Sequence, residues 1–172
     1  QVTNLTAIAN ELHERALIWP SAPINPSSIA KRIENHVPLF VGWKHLAPVA
    51  YRAKCQINEN AKSISMSSEL PEANHNEIES IESFSKFSIR PIILRSSHED
   101  ERTRKRFKIT SDLLKEAGCE VINISLESGD TLMESLAFTY FLDLMSIELA
   151  ELHQVDPVSV LRISELKRRL NS

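Results

Sequence analysis

Glycine and cysteine are both scarce in this chain, and each shortage removes a class of function. The three glycines form no G-x-G-x-x-G and no Walker loop, so the common glycine-rich phosphate-binding loops are excluded. The two cysteines, Cys55 and Cys119, do not make a disulfide framework, which favours a reducing cytoplasm. The six histidines show neither i, i+4 pairing nor a Cys/His cluster, so we expect no metal site.

Long apolar runs and a strong net charge are also missing. No run is long enough to span a bilayer, and the first residues lack the basic and apolar regions of a signal peptide. The net charge of -3 gives no general attraction to nucleic acid or to an anionic membrane. We interpret the basic stretch at 102–108 as a solvated helix face, because it follows three acidic residues.

Hydrophobic periodicity predicts helices that alternate with strands. A chain of 172 residues, 42% of them apolar, suits one domain with a substantial core. The alternation predicts an α/β fold, a three-layer αβα sandwich around a mostly parallel sheet. In the long helix predicted at 129–152, one side carries Leu132, Leu136, Tyr140, Leu144 and Ile147. The predicted strands lie at 37–41, 64–66, 89–94 and 120–124, and the other predicted helices at 5–17, 27–33, 46–57, 99–118 and 160–170.

The segment around Glu59 contains the clearest candidate for chemistry. Residues 54–62 read Lys-Cys-Gln-Ile-Asn-Glu-Asn-Ala-Lys, so Glu59 lies between Asn58 and Asn60 with Gln56 nearby. A carboxylate can shuttle a proton between neighbouring sugar carbons, and amides can hold hydroxyls without competing for that proton. Glu59 also points away from the predicted core face of its helix, so a solvated surface glutamate is the ordinary alternative.

Two further side chains have a functional and an ordinary interpretation. His75 follows Glu59 by sixteen positions in a polar loop, where it either transfers a proton at a sugar ring oxygen or is a surface histidine. Lys167 lies in a basic last turn that suits the helix dipole, and it could instead bind phosphate or assist ring opening. No Cys/His nucleophile pair accompanies Cys55, which we assign to packing.

These motifs resemble the C-terminal half of the bifunctional phosphoglucose/phosphomannose isomerase family, which is built from sugar isomerase (SIS) domains. The similarity runs through Leu-Ala-Pro-Val-Ala-Tyr-Arg at 46–52 into the Glu59 segment. It continues through Asn-His-Asn-Glu at 74–77 and resumes at Val-Asp-Pro at 155–157 and Leu-Lys at 166–167. The resemblance therefore covers most of the chain from about residue 37 onward.

The resemblance implies a flavodoxin-like SIS architecture and a role for each candidate. Glu59 matches the base that moves a proton between C1 and C2 through a cis-enediol. His75 matches the ring-opening residue, which in this family reaches the active site of the partner subunit in a homodimer, and Lys167 matches a lysine near the ring oxygen. The implied reaction interconverts glucose 6-phosphate, and mannose 6-phosphate as a further substrate, with fructose 6-phosphate, without metal or organic cofactor. The residues implied to bind the sugar phosphate are Gln56, Asn58, Asn60, Asn74, Ser159 and Val160.

The chain departs from the family's pattern in two ways. The serine/threonine-rich phosphate cradle and a stabilising arginine belong to an N-terminal SIS domain, and the serines at 63–68 lack the Gly and Thr that such a loop requires. Because the chain also does not begin with Met, we expect it to be the C-terminal half of a longer protein. Val160 replaces a threonine linked to dual specificity, which weighs against phosphomannose activity, although the adjacent Ser159 could substitute.

The expected organisation is an N-terminal helical segment at 1–35 packed on a SIS domain at 36–172. The alternative to an enzyme is a non-catalytic SIS module that binds a sugar phosphate or mediates dimerisation. We expect no nucleic-acid or membrane partner. An upstream SIS domain with a serine/threonine phosphate loop would favour the enzyme over this alternative.

Overall fold

A four-stranded parallel sheet forms the centre of the protein in the computed structural model, which describes residues 4–171. The strands are β1 (Val37–Trp43), β2 (Met66–Leu70), β3 (Ile89–Arg95) and β4 (Ile122–Ser125). Their order across the sheet is β2-β1-β3-β4, and every neighbouring pair is parallel. The predicted parallel sheet is confirmed.

Residues 4–171 form six α-helices, and each lies close to its predicted position. They are α1 (Leu5–Ile18), α2 (Pro26–Ile33), α3 (Ala47–Asn60), α4 (Glu101–Glu116), α5 (Thr131–Leu152) and α6 (Leu161–Leu170). The segment between β2 and β3, for which no element was predicted, forms three short 3₁₀ helices, Glu72–Asn74, Glu77–Ser83 and Ser85–Phe87. No helix within residues 4–171 is long and apolar enough to cross a membrane.

The two faces of the sheet carry separate apolar cores. On one face Phe40 and Ile92 pack with residues from α2, α3 and α5, including Ile57 and Phe138. On the other face the alternate strand residues Leu39, Val41 and Ile93 pack with Phe107 and Leu114 of α4 and with the 3₁₀ segment. Side chains alternate across a strand, so both faces of the strands are apolar where both are covered. The predicted three-layer αβα sandwich is confirmed.

The predicted apolar side of helix α5 is only partly covered, because Tyr140 and Leu144 pack against the core whereas the two ends of that side do not. Leu132 and Ile147 are exposed, and the buried side is formed by Met133, Ala137, Phe138, Phe141, Leu142, Met145 and Leu149. Because this helix carries apolar residues on nearly every side, the periodicity of its sequence could not identify the face that is buried. Of the predicted side, Leu132 and Ile147 are the residues that remain on the surface of the domain.

The predicted division at residues 35 and 36 remains a prediction. Residues 1–3 and 172 of the two predicted segments lie outside the described residues. Within the N-terminal segment, Ile29, Ala30 and Ile33 of α2 are buried in the core shared with α5, whereas α1 has no buried residue. Asn25 caps α2 by accepting the Ser28 N–H at 2.8 Å.

The connection from β1 into α3 depends on Gly42. A Cβ at this position would lie 2.3 Å from the carbonyl oxygen of Leu46, so any other residue would have to displace backbone. This close approach lets α3 begin directly beyond the carboxyl end of β1. Since β2 and β3 lie on opposite sides of β1, the chain also changes direction across the sheet at the β1/β3 junction, where ligands bind in many open α/β sheets.

Candidate active site

Glu59 lies in the last turn of α3, and its neighbours hold that turn in place. The Asn58 side chain donates to the Ser63 carbonyl at 2.7 Å, and the Asn60 side chain donates to the Ser146 hydroxyl of α5 at 2.7 Å. The Lys62 ammonium donates to the Glu59 backbone carbonyl at 2.5 Å, as suits a cation at a helix C-terminus. The backbone at this end of α3 is thereby fixed on two elements, while the Glu59 side chain stays exposed.

A groove of about 540 Å³ opens beside Glu59. One wall consists of residues 58, 59 and 62–64, and the other consists of residues 159–163 at the start of α6. Its volume falls in the range of small-molecule sites, about 300–1,000 Å³. The Glu59 carboxylate has no hydrogen bond or ion pair with any residue of 4–171, so it is free to meet a ligand in this groove.

Ser159 and Val160 lie across the groove from Glu59, and Lys167 lies farther along the same helix. Both Ser159 and Val160 line the groove. Lys167 belongs to the last turn of α6, is exposed and does not line the groove. Helix α6 has no buried residue, so the described part of the chain holds it loosely.

His75 and Asn74 lie at the opposite end of the sheet. Helix α3 begins beyond the carboxyl end of β1 and runs back toward the amino end of β2, so Glu59, in its last turn, lies near the amino ends of the strands. His75 instead follows the carboxyl end of β2. The five residues of β2 therefore separate the two positions by roughly 13 Å along the strand direction. Asn74 is turned toward α4, where its amide donates to the Thr110 hydroxyl at 2.9 Å.

The structure thus brings together only part of the predicted site. Glu59, Asn58, Ser159 and Val160 share one groove. Asn60 is half-buried against α5 and Gln56 is half-buried one turn earlier on α3, and neither lines the groove. Within one chain, His75, Asn74 and Lys167 are also outside it.

The sequence did not point to a second polar centre, built around Glu134 of α5 at the β1/β3 junction. The Glu134 side chain is fully buried and accepts four hydrogen bonds. The donors are the Ser96 hydroxyl at 2.5 Å, the Ser97 N–H at 2.8 Å, the Ser97 hydroxyl at 2.7 Å and His45 Nε2 at 2.7 Å. The available signal was the single acidic residue within the apolar stretch 131–142, together with Ser-Ser-His directly after a strong strand.

Glu134 stays ionised because its donors outweigh its burial. Burial raises the pKa of this carboxyl, but the hydrogen bonds from Ser96, Ser97 and His45 together hold the pKa below its ordinary value of 4.5. A carboxyl whose pKa is lower in the folded state stabilises the fold above its ordinary pKa and loses that effect as pH falls through the folded-state pKa. Glu134 therefore ties α5 to the ends of β1 and β3 at neutral pH.

Replacement of Glu134 by Gln is expected to lower the free energy of unfolding by about 2–4 kcal/mol at pH 7, because the new amide meets donors that need an acceptor. The difference from wild type should begin to shrink as the pH falls below 4.5, where the carboxyl of the unfolded chain takes up a proton, and should be lost once the pH falls through the folded-state pKa. Urea unfolding midpoints at pH 7 and pH 4 measure both effects. Glu151→Gln, an exposed change on the same helix, is the control; equal midpoints for both variants at pH 7 would contradict this role.

No group of three or more His, Cys, Asp or Glu side chains within residues 4–171 could hold a metal ion. A solved structure shares the fold. A structure described as a glucose-6-phosphate isomerase like protein from Thermus thermophilus superimposes with a TM-score of 0.67 at 17% identity, covering 83% of this chain and 46% of that one. At this identity the similarity establishes a shared fold.

Sequence comparison then gives the family. The model of the bacterial phospho-glucose isomerase C-terminal SIS domain matches residues 24–170, so the chain belongs to this family. The bifunctional phosphoglucose/phosphomannose isomerase of Aquifex aeolicus (strain VF5) is 34% identical over 145 residues, 83% of this chain and 45% of that protein. The family resemblance predicted from the sequence is confirmed.

Another relative aligns with a shorter part of the chain, at a higher sequence identity. The D-glucosamine-6-phosphate 4-epimerase of Sulfolobus acidocaldarius is 47% identical over 75 residues, which are 44% of this chain and 24% of that protein. The chain spans about half the length of the bifunctional relatives that it matches.

Proposed function

We propose that this chain supplies the catalytic base of a hexose-phosphate isomerase whose phosphate cradle lies in an N-terminal SIS domain. The reaction would interconvert glucose 6-phosphate, with mannose 6-phosphate as a further substrate, and fructose 6-phosphate. The observation that carries the proposal is the unpaired carboxylate of Glu59 in a groove of about 540 Å³, within a chain of this isomerase family. We place this activity in the cytoplasm, which suits the two free cysteines.

In the proposed reaction, Glu59 removes the proton from C2 of the open-chain aldose while the carbonyl oxygen at C1 gains a proton. The resulting cis-enediol collapses when Glu59 returns the proton to C1 and the C2 hydroxyl loses its proton, which gives the ketose. Ser159 offers a hydroxyl across the groove for the sugar. Lys167 reaches this site only if α6 packs against a surface beyond the described residues.

The position of His75 supports a shared site in a homodimer. Roughly 13 Å of β2 separates it from the Glu59 end of the sheet, so one chain does not present both side chains to one sugar. In an isologous dimer each chain can give its His75 to the groove of its partner. The exposed imidazole of His75 has no side-chain partner within residues 4–171 and is free to act there.

A 4-epimerase of an amino sugar phosphate is the second candidate. It is favoured by the 47% identity to the Sulfolobus acidocaldarius protein over 75 residues, against 34% identity to the Aquifex aeolicus isomerase over 145 residues. The two reactions give different products. The isomerase moves the carbonyl between C1 and C2, whereas the epimerase inverts the configuration at C4 and leaves the aldehyde carbon unchanged.

Product analysis by proton NMR separates the candidates. The full-length protein is incubated in separate reactions with fructose 6-phosphate and with glucosamine 6-phosphate. Formation of glucose 6-phosphate from the ketose supports the isomerase, whereas a change in the H4 coupling of the amino sugar supports the epimerase. Turnover of neither substrate would favour the non-catalytic SIS module.

A further inference from the structure

A second groove, of about 340 Å³, lies on the opposite face of the sheet from the Glu59 groove. Helix α4 forms one wall through Arg102, Lys105 and Arg106, and Asn74 contributes from the loop that precedes His75. The remaining lining residues are uncharged, and the two grooves share no residue. This second groove is called the α4 groove below.

The positions of the three cations in the α4 groove destabilise helix α4. Their spacing is i, i+3 and i+4, so they lie on one helix face, where like charges repel. Arg102 also lies in the first turn of α4, where the positive end of the helix dipole disfavours cations. Such an arrangement is expected where a bound anion offsets the repulsion.

Internal ion pairs do not relieve this repulsion. Lys108, on another side of α4, pairs with Asp112 at 2.6 Å, but within residues 4–171 no carboxylate pairs with Arg102, Lys105 or Arg106. Two carboxylates directly precede Arg102, those of Asp100 and Glu101, and neither lines the groove. Asp100 caps the helix by accepting the Thr103 N–H at 2.7 Å, and its charge also acts on Arg102. The α4 groove therefore combines concentrated positive charge with a concave surface.

Polar groups beside the cations are already oriented. Arg106 donates to the Asn74 side-chain oxygen at 3.1 Å, and Thr110 bonds both Asn74 and the Arg106 carbonyl. Guanidinium groups match phosphate oxygens in a bidentate geometry, and an ammonium group adds a point charge. The volume admits one metabolite-sized molecule, and the walls of Ile109 and Leu113 offer apolar contact to its body.

We propose that the α4 groove binds the phosphate monoester group of a small metabolite, at a site separate from the Glu59 groove. A ligand there would contact Asn74, the residue directly before His75. The inference does not depend on which reaction the Glu59 groove performs.

Pyridoxal 5′-phosphate tests the site in the full-length protein. Its aldehyde condenses with a lysine amine with loss of water, borohydride reduces the imine to a stable amine, and peptide mapping identifies the labelled lysine. Lys115, exposed on the same helix and outside the groove, is the internal reference. The ratio of Lys105 to Lys115 labelling should be about tenfold higher with pyridoxal 5′-phosphate than with pyridoxal, which lacks the phosphate.

Competition and matched variants complete the test. Glucose 6-phosphate and inorganic phosphate should both protect Lys105, and glucose should not; the more effective of the two identifies a metabolite or free phosphate as the source. Arg102→Glu should remove the preference, while Arg104→Glu, the same charge change on the same helix outside the groove, should preserve it. Equal labelling by both probes, no labelling of Lys105, protection by glucose, or equal losses in the two variants would overturn the proposal.

Discussion

Glu59→Gln in the full-length protein is expected to lower kcat by about 10²–10⁴-fold, because the amide cannot accept the substrate proton. Substrate binding should change little, because the substitution keeps the size of the side chain. The groove should also keep its shape, because α3 is held by the Asn58 and Asn60 side chains and not by the Glu59 carboxylate. Steady-state NMR assays give kcat, and calorimetric titration with a non-reacting sugar phosphate gives the dissociation constant.

Glu151→Gln is the matched control for this prediction. Glu151 is an exposed glutamate that does not line the groove, so its substitution makes the same change of charge without touching the proposed site. Its kcat should equal that of wild type. A Glu59→Gln enzyme that keeps a tenth or more of the wild-type kcat would remove Glu59 from the role of base, since a base contributes at least about a hundredfold.

Most of the fold could be predicted because the apolar residues that mark each strand and helix lie close together in the sequence. The strands β1 and β3 are nearly continuous apolar runs that are buried on both faces, and helices with polar outer faces separate them. The exposure of Glu59 also followed from its angle around α3 relative to the core residues of that helix. Both features depend on residues within a few turns of one another.

The parts that could not be predicted depend on contacts between distant residues. Glu134 meets Ser96 across 38 positions and His45 across 89 positions, and no local pattern joins them. The second wall of the Glu59 groove comes from residues 159–163, about a hundred positions after the first. Helix α5 is apolar on nearly every side, so its inward face was set by packing and not by its period.

The separation of Glu59 from His75 leads to a sharper experiment than either single variant. His75→Gln alone is expected to lower kcat on cyclic sugar phosphate by about 10²-fold, because ring opening loses its proton donor. His13→Gln, an exposed change on α1, is the control and should keep the wild-type kcat. These single variants establish whether His75 contributes, but not which chain it serves.

Mixed dimers decide which chain His75 serves. When inactive Glu59→Gln and inactive His75→Gln subunits are unfolded together and refolded, a heterodimer with shared sites contains one intact pair, Glu59 from one chain and His75 from its partner. Random assembly should restore about one quarter of the wild-type activity per subunit, because half of the dimers are mixed and half of their sites are intact. If each chain used its own His75, every site would lack one residue, and the mixture would show no more activity than the two variants do separately. Recovery is the expected result, because β2 holds the two side chains of one chain at opposite ends of the sheet.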